Sequence, residues 1–367
     1  MTKSRIQFDH QAFLEQRYGG VSRYFCEIAT RVGKMDGYST LVSAGLHVNE
    51  HLVPAQVRVV GSKVWPIKRT ATARATVNRV LDHAAALAWR PRVMHETYYG
   101  RWRSAVASTK VVVTVHDLIH ERYPAYFEAD PTVVRRRWAM DRADALVCVS
   151  DATRCYLTEL YPQHAHKARV IHHGQNFEEP SPKSLSDLDA CIGQQPFVLY
   201  VGSRFGYKNF ERLLNSVAAA WSAQSRPLLC CFGGGPLTTV ELAQIDAAGL
   251  SPQHVKQFDG SDGILHAAYR KALAFVYPSL EEGFGIPLLE ARAAGCRVAC
   301  SDIPVFAEVL GTDAFYFDPR SVPAMTAALL DAVSAGADGQ SAIAPKPLQF
   351  SWQRSAELHA QLYSSLV

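Results

Sequence analysis

Short apolar runs rich in Val, Ile, Leu and Phe recur along this chain, each closing on a polar cluster and each followed by a stretch of helical spacing. KVVVTVHD (110–117), DALVCVSD (144–151) and ARVIHHG (168–174) lie in the first half. PFVLYVGS (196–203), PLLCCFGGG (227–235), ALAFVYPS (272–279) and CRVACSD (296–302) repeat the pattern in the second. Continuous apolar strands joined through helices demand a parallel sheet covered on both faces. With 367 residues, the chain is long for one core. The expected class is therefore α/β, with two doubly wound domains in tandem.

Between the two sets, residues 176–196 carry prolines, serines and acids without apolar periodicity, which suits a connection. The expected division is an N-terminal domain over 1–180, a linker over 181–195, a second domain over 196–350 and a capped amphipathic helix over 351–367. The eight cysteines are scattered through apolar runs with no CxxC pair, so reduced, mostly buried thiols are expected. Neither a leader-like N-terminus nor a run of 18 apolar residues occurs, which leads to the expectation of a cytoplasmic chain without a membrane span.

The net charge of +4 conceals an asymmetry. Residues 1–180 hold 25 Lys and Arg against 17 Asp and Glu, while residues 181–367 hold 13 against 17. A stretch without acids, 51–81, contains Arg58, Lys63, Lys68, Arg69, Arg74 and Arg79, and RRRW (135–138) adds to it. An anionic membrane surface is the partner this charge suits. No recognition motif accompanies it, so nucleic acid is not expected.

In open α/β sheets ligands sit at the carboxyl ends of strands, which directs attention to EEGFGIPLLEA (281–291). A loop containing Gly283 and Gly285 leads into a helix starting at Pro287, leaving unpaired amides at a positive helix end. The cradle of Gly283, Phe284, Gly285 and Ile286 suits a phosphate. Glu282 and Glu290, on either side of it, would repel a phosphate if aimed at it, and suit sugar and ribose hydroxyls instead. Ahead of it in sequence, VGSRFGYKN (201–209) places Ser203, Arg204 and Lys208 at a strand end, cations suited to a diphosphate. Adjacent histidines, His172 and His173, make a poor chelate on a strand, and no metal site is expected.

SLEEGFGIPLLEARAAGCRVACSDIPVFAEVLG resembles the E-x7-E signature of the family 4 retaining glycosyltransferases of the GT-B fold. The resemblance implies two Rossmann-like domains facing a central cleft, an acceptor-binding domain first and a donor-binding domain second, with the last helix packed back on the first. It implies that Glu282 contacts the donor sugar, Glu290 the ribose, and Arg204 and Lys208 the phosphates. Gly19 and Gly20, before a helical pattern, match the family's N-terminal glycine loop near the donor phosphate. Phe258 matches the segment whose backbone holds the base. His116 matches a sugar-contacting histidine, so the expected catalytic set is Glu282, His116, Arg204 and Lys208. Strand-end polar residues His95, Glu96, Asp117 and Arg154, with His120 and Ser150, are acceptor-side candidates.

The implied reaction is metal-independent transfer of a hexose from a nucleotide sugar to a glycan or lipid-linked glycan, with retention and without a bound cofactor. Resemblance to the mannosyltransferases of O-antigen and exopolysaccharide assembly favours GDP-mannose, with UDP-glucose, GDP-fucose or TDP-rhamnose as alternative donors. A non-catalytic nucleotide-sugar-binding protein is a second class, though it would be expected to lose Glu282, Arg204 or Lys208. A dinucleotide oxidoreductase lacks its GxGxxG here.

Overall fold

The computed structural model describes residues 3–14, 17–52, 56–65, 70–101, 106–337 and 350–367. The chain forms two compact units, one of Met1–Gly174 with Phe350–Val367, the other of Gln175–Gln349.

The first unit is built on a seven-stranded parallel sheet of β1 (Ser4–Phe8), β2 (Tyr38–His47), β3 (Val59–Lys63), β4 (Val93–Glu96), β5 (Lys110–Val115), β6 (Ala145–Cys148) and β7 (Ala168–Val170), in the order β3-β2-β1-β4-β5-β6-β7. The second holds six parallel strands, β8 (Phe197–Val201), β9 (Leu228–Phe232), β10 (Val255–Phe258), β11 (Ala274–Tyr277), β12 (Val298–Ser301) and β13 (Phe315–Phe317), ordered β10-β9-β8-β11-β12-β13. The four residues of β4, β6, β11 and β12 are buried throughout, as expected of strands covered on both faces. In each unit the order reverses beside the first strand, so a crevice opens between β1 and β4 and between β8 and β11.

The expected linker is a correction. Residues 181–195 hold the helix Pro182–Ile192, capped by Ser181, whose Oγ accepts from Ser184 N at 3.1 Å. It buries Leu188 and Ile192 and packs beside the helix Asp262–Lys271 within the second unit. Leu185, Leu188 and Ile192 recur at helical spacing, a pattern hidden by the serines and acids between them.

The helix Trp352–Ser365 belongs to the first unit and packs on the helix Gly20–Lys34. A directed chain of hydrogen bonds seats it. Because the Ser355 carbonyl only accepts, His359 Nδ1 must donate to it at 2.7 Å, leaving Nε2 to accept from Tyr24 Oη at 2.7 Å. Thr114 Oγ1 then donates to Tyr24 Oη at 3.1 Å and accepts from His95 Nε2 at 2.8 Å, and Tyr363 Oη donates to His95 Nδ1 at 2.7 Å. Every donor meets an acceptor only if both imidazoles are neutral.

The RRRW run is not one surface patch. Arg136 is buried, with Nη1 on Glu121, Nη2 3.5 Å from Asp117, and its guanidinium 4.8 Å from the Tyr99 ring. Of the acid-free stretch, Lys68 and Arg69 lie outside the described residues.

Candidate active site

At the β8/β11 crevice of the second unit, two sequence-distant loops are stitched together. Asn209 takes the left-handed conformation (φ 63°) at the start of the helix Phe210–Ala220. Its Nδ2 donates to the carbonyls of Pro278 (3.0 Å) and Pro319 (2.7 Å). Leu280 N donates to Tyr207 O at 2.8 Å. The loop after β8 thereby holds the loop after β11.

Across this seam Lys208 Nζ lies 2.5 Å from Glu282 Oε1, with the two side chains 12% and 11% exposed. Ser279 Oγ donates to the same oxygen at 2.6 Å, and the Tyr277 hydroxyl also bonds Glu282. Burial, then the neighbouring Glu282 charge, pushes the Tyr277 phenol well above its ordinary value, so it stays protonated and donates. The ammonium also lies 5.2 and 5.5 Å from the Tyr207 and Tyr277 ring centroids. A carboxylate gripped from three sides keeps its orientation, which is what recognition of sugar hydroxyls requires.

The helix after this loop runs Ile286–Ala293, starting one residue before the expected Pro287. Gly285 caps it at φ 104°, a conformation favouring glycine, and an added Cβ would lie 3.0 Å from Leu288 Cδ1. Phe284 is buried, and so is Glu290, whose Oε2 accepts from Tyr269 Oη at 3.3 Å. Glu290 is therefore an inward-held carboxylate rather than a solvated helical residue.

Arg204 and Lys208, expected to act as a pair, are held by different partners. The Arg204 side chain is 1% exposed, and its Nε donates to Glu241 Oε1 at 2.6 Å. Nη1 donates to Gly233 O (3.0 Å), while Nη2 reaches Gly235 O (2.8 Å) and Gly234 O and Pro236 O (both 3.3 Å). Gly233, Gly234 and Gly235 all have positive φ (79°, 75°, 71°), so three successive carbonyls converge on one fork. An added Cβ at Gly234 would lie 2.7 Å from Gly202 O and 2.8 Å from Arg204 Nη1. Glu241 closes the assembly from a capping box with Thr238. Burial raises its carboxyl, but bonds from Thr238 and Arg204 outweigh that and hold it below the ordinary value.

Ser203 contributes its carbonyl to Tyr200 Oη at 2.5 Å. The Phe258 ring is buried edge-on against Phe232, leaving the main chain at that strand end, where Phe258 O accepts from Gly233 N.

In the first unit His116 follows β5. Its amide donates to Tyr99 Oη at 3.2 Å, its ring lies edge-on to Tyr24 at 5.5 Å, and Nε2 has no partner among the described residues. Burial depresses the imidazole to about 4, with Asp117 opposing and Arg136 reinforcing the shift, so it is neutral at pH 7. Gly19 caps the helix Gly20–Lys34, its amide 3.4 Å from His51 Nε2, and the space beside Gly20 is open. Asp117 Oδ1 accepts from Ile119 N at 3.1 Å, and His120 pairs with Asp130 at 3.3 Å.

Three acceptor-side expectations are corrected. His95 is fully buried with both nitrogens committed, Glu96 is buried against Arg142, and Ser150 caps the helix Asp151–Leu160 through its bond from Thr153 N. Strand-end position alone does not separate a network residue from one that faces solvent. Arg154 is exposed and pairs with Asp151 at 3.2 Å. Sequence reasoning missed Asn209, Tyr277, Ser279 and Glu241. Of these, Glu241 alone carried a signal, the T-x-x-E spacing from Thr238.

Comparison with known proteins identifies the family. Residues 18–179 match the family described as Glycosyltransferase Family 4, and residues 191–343 match Glycosyl transferases group 1. The chain is 28% identical to the O-antigen chain mannosyltransferase RfbU of Salmonella typhimurium over 56% of each chain, so it spans little more than half of that relative. It is 27% identical to the O-antigen chain mannosyltransferase B of Escherichia coli, covering 70% of this chain and 71% of that one. With the lipopolysaccharide core biosynthesis mannosyltransferase LpcC of Rhizobium leguminosarum bv. viciae the identity is 31%, over 63% and 67%. The fold is similar to that of WaaG, a glycosyltransferase of lipopolysaccharide biosynthesis (TM-score 0.68, 19% identity, 98% and 97% covered), and of Anabaena HepE solved with UDP and glucose (0.71, 17%, 99% and 100%). The chain belongs to family 4 of the GT-B glycosyltransferases.

Proposed function

We propose that this chain transfers mannose from GDP-mannose, with retention at the anomeric carbon, to a glycan or lipid-linked glycan at an anionic membrane surface. The observation that carries the reading is the Lys208–Glu282 pair at the β8/β11 crevice, beside the amides that open the helix Ile286–Ala293. The mannosyltransferase names of the relatives support the sugar, because no side chain of the site separates one hexose from another.

In the proposed step the bond from the anomeric carbon to the diphosphate oxygen breaks as the acceptor oxygen bonds that carbon from the same face. The acceptor's proton passes to the departing diphosphate. Lys208 and the loop amides stabilise the charge developing on the leaving group, and no metal is required for that task. Glu282 orients the sugar through its hydroxyls, and Glu290 takes the ribose hydroxyls. Arg204, through the carbonyls it holds, shapes the glycine loop beside the diphosphate.

A panel of GDP-, UDP-, TDP- and ADP-sugars, followed by thermal shift and by slow hydrolysis without acceptor, tests the reading. GDP-mannose should alone stabilise the protein and release GDP. Stabilisation by another nucleotide sugar would move the donor, and stabilisation by none would overturn the reading.

A further inference from the structure

The helix Ala71–Trp89 of the first unit is amphipathic in the wrong sense for a water-facing surface. Its inner face is polar: Asn78 and Asp82 are both 0% exposed. Asn78 Oδ1 accepts from Leu46 N at 2.7 Å and its Nδ2 donates to Leu46 O, while Asp82 receives His10 and Ser43. Hydrogen bonds, rather than a greasy stripe, pin this helix to the sheet.

Ala86 is buried and Ala75, Ala85 and Trp89 are half-buried, but the larger aliphatic residues all face outward. Ala73, Val77, Val80, Ala84 and Leu87 follow one another at spacings of four and three, forming one continuous exposed stripe with Leu81 and Ala88 beside it. Val77, Val80, Leu81 and Leu87 are 45%, 63%, 40% and 56% exposed. Aliphatic side chains left in water in a row mark a surface that is covered in use.

The charges around the stripe select the occupant. The helix's one acid is the buried Asp82, whereas Arg79 is exposed beside the stripe. At the helix's C-terminal end a cavity of about 650 Å³ is lined by Leu87, Arg90, Arg92, Val106, Lys110 and Leu366, so it continues the stripe and adds three cations. Lys110 is shared with Asp144 at 2.9 Å. Arg90 holds the left-handed conformation (φ 50°, ψ 62°), a position where glycine would be unstrained. A second copy of this chain would set arginines against arginines. An anionic bilayer meets both demands, with acyl chains against the aliphatics and headgroup phosphates against the cations.

We infer that the outward face of the helix Ala71–Trp89, with the cationic cavity at its end, docks the protein on an anionic lipid bilayer. This deepens the membrane part of the proposed function and rests on that part, not on the donor. Among the described residues no helix is long and apolar enough to cross a membrane, and attachment through these cations is salt-sensitive.

Flotation of the full chain with vesicles of phosphatidylcholine alone, or with one-third phosphatidylglycerol, tests it. The chain should float with the anionic vesicles and stay behind with the neutral ones. Val80→Glu with Leu87→Glu should abolish flotation, while donor hydrolysis in solution is unchanged. Arg90→Gln and Arg92→Gln should each weaken vesicle affinity about fivefold and flatten its salt dependence. Equal flotation of wild type and the double glutamate variant would overturn the inference, as would wild type that ignores anionic vesicles. A lipid-free dimer dispersed by the glutamates in light scattering would assign the face to a second copy instead. Loss of donor hydrolysis across all variants would indict folding, and the conservative Leu87→Gln would then decide whether flotation fails alone.

Discussion

Lys208 and Glu282 lie 74 positions apart in the chain, yet their charged atoms stand 2.5 Å from each other at the seam between the loops after β8 and β11. The pair is nearly buried, so it is weak evidence for stability and better evidence for function. Lys208→Met should remove leaving-group stabilisation and loosen Glu282. A fall in kcat of about 10²–10³ is expected, with weaker thermal stabilisation by GDP, measured by steady-state kinetics and thermal shift.

Ser279 gives Glu282 a second grip and is itself fully buried. Ser279→Ala removes one hydrogen bond worth about 1 kcal/mol, so kcat should fall about fivefold with the donor KM little changed. Ser279→Thr should restore part of the rate.

Asn209 supplies both a left-handed backbone and bonds to the carbonyls of Pro278, after β11, and Pro319, after β13. Asn209→Gly keeps the backbone and loses the bonds, whereas Asn209→Ala loses both. Equilibrium denaturation should therefore rank alanine below glycine by about 1 kcal/mol, with both below wild type.

Glu241 and Gly234 set the Arg204 fork. Gly234→Ala would place a methyl within van der Waals overlap of the guanidinium at a positive φ. Both Gly234→Ala and Glu241→Gln should raise the donor KM more than they lower kcat, and only the alanine variant should lower Tm markedly. Unchanged KM in both would show that the glycine loop does not face the donor.

The histidines under the C-terminal helix predict an acid limit. Burial depresses His359 and His116 to about 4 from an ordinary 6.5, and lowers His95 and His173 well below that ordinary value. The unfolded chain then binds more protons than the folded one between those values, so stability is complete above pH 6.5 and is lost as pH falls toward 4. Tm measured across pH 4–8 should fall steeply on the acid side, and His359→Gln should flatten the slope.

Parallel α/β architecture was legible because strands buried on both faces leave uninterrupted apolar runs such as KVVVTV and FVLYV. The helix Pro182–Ile192 escaped because only three apolar positions mark its buried side. At the site, glycines, the helix entry and the two glutamates announced themselves through local chemistry. The partners of those groups did not, since which side chain Arg204 or His95 meets depends on packing between segments tens of residues apart. Arg204 illustrates the difference: its residue type suits a phosphate, but three left-handed glycines and Glu241 claim its donors in the fold.

The most direct test of the account is the Glu282→Gln variant, assayed for GDP-mannose hydrolysis and for thermal stabilisation by GDP. The amide keeps the shape and loses the charge that Lys208, Ser279 and Tyr277 hold in place. The account predicts turnover lowered about 10³-fold with GDP stabilisation intact. Turnover near that of the wild type would contradict it.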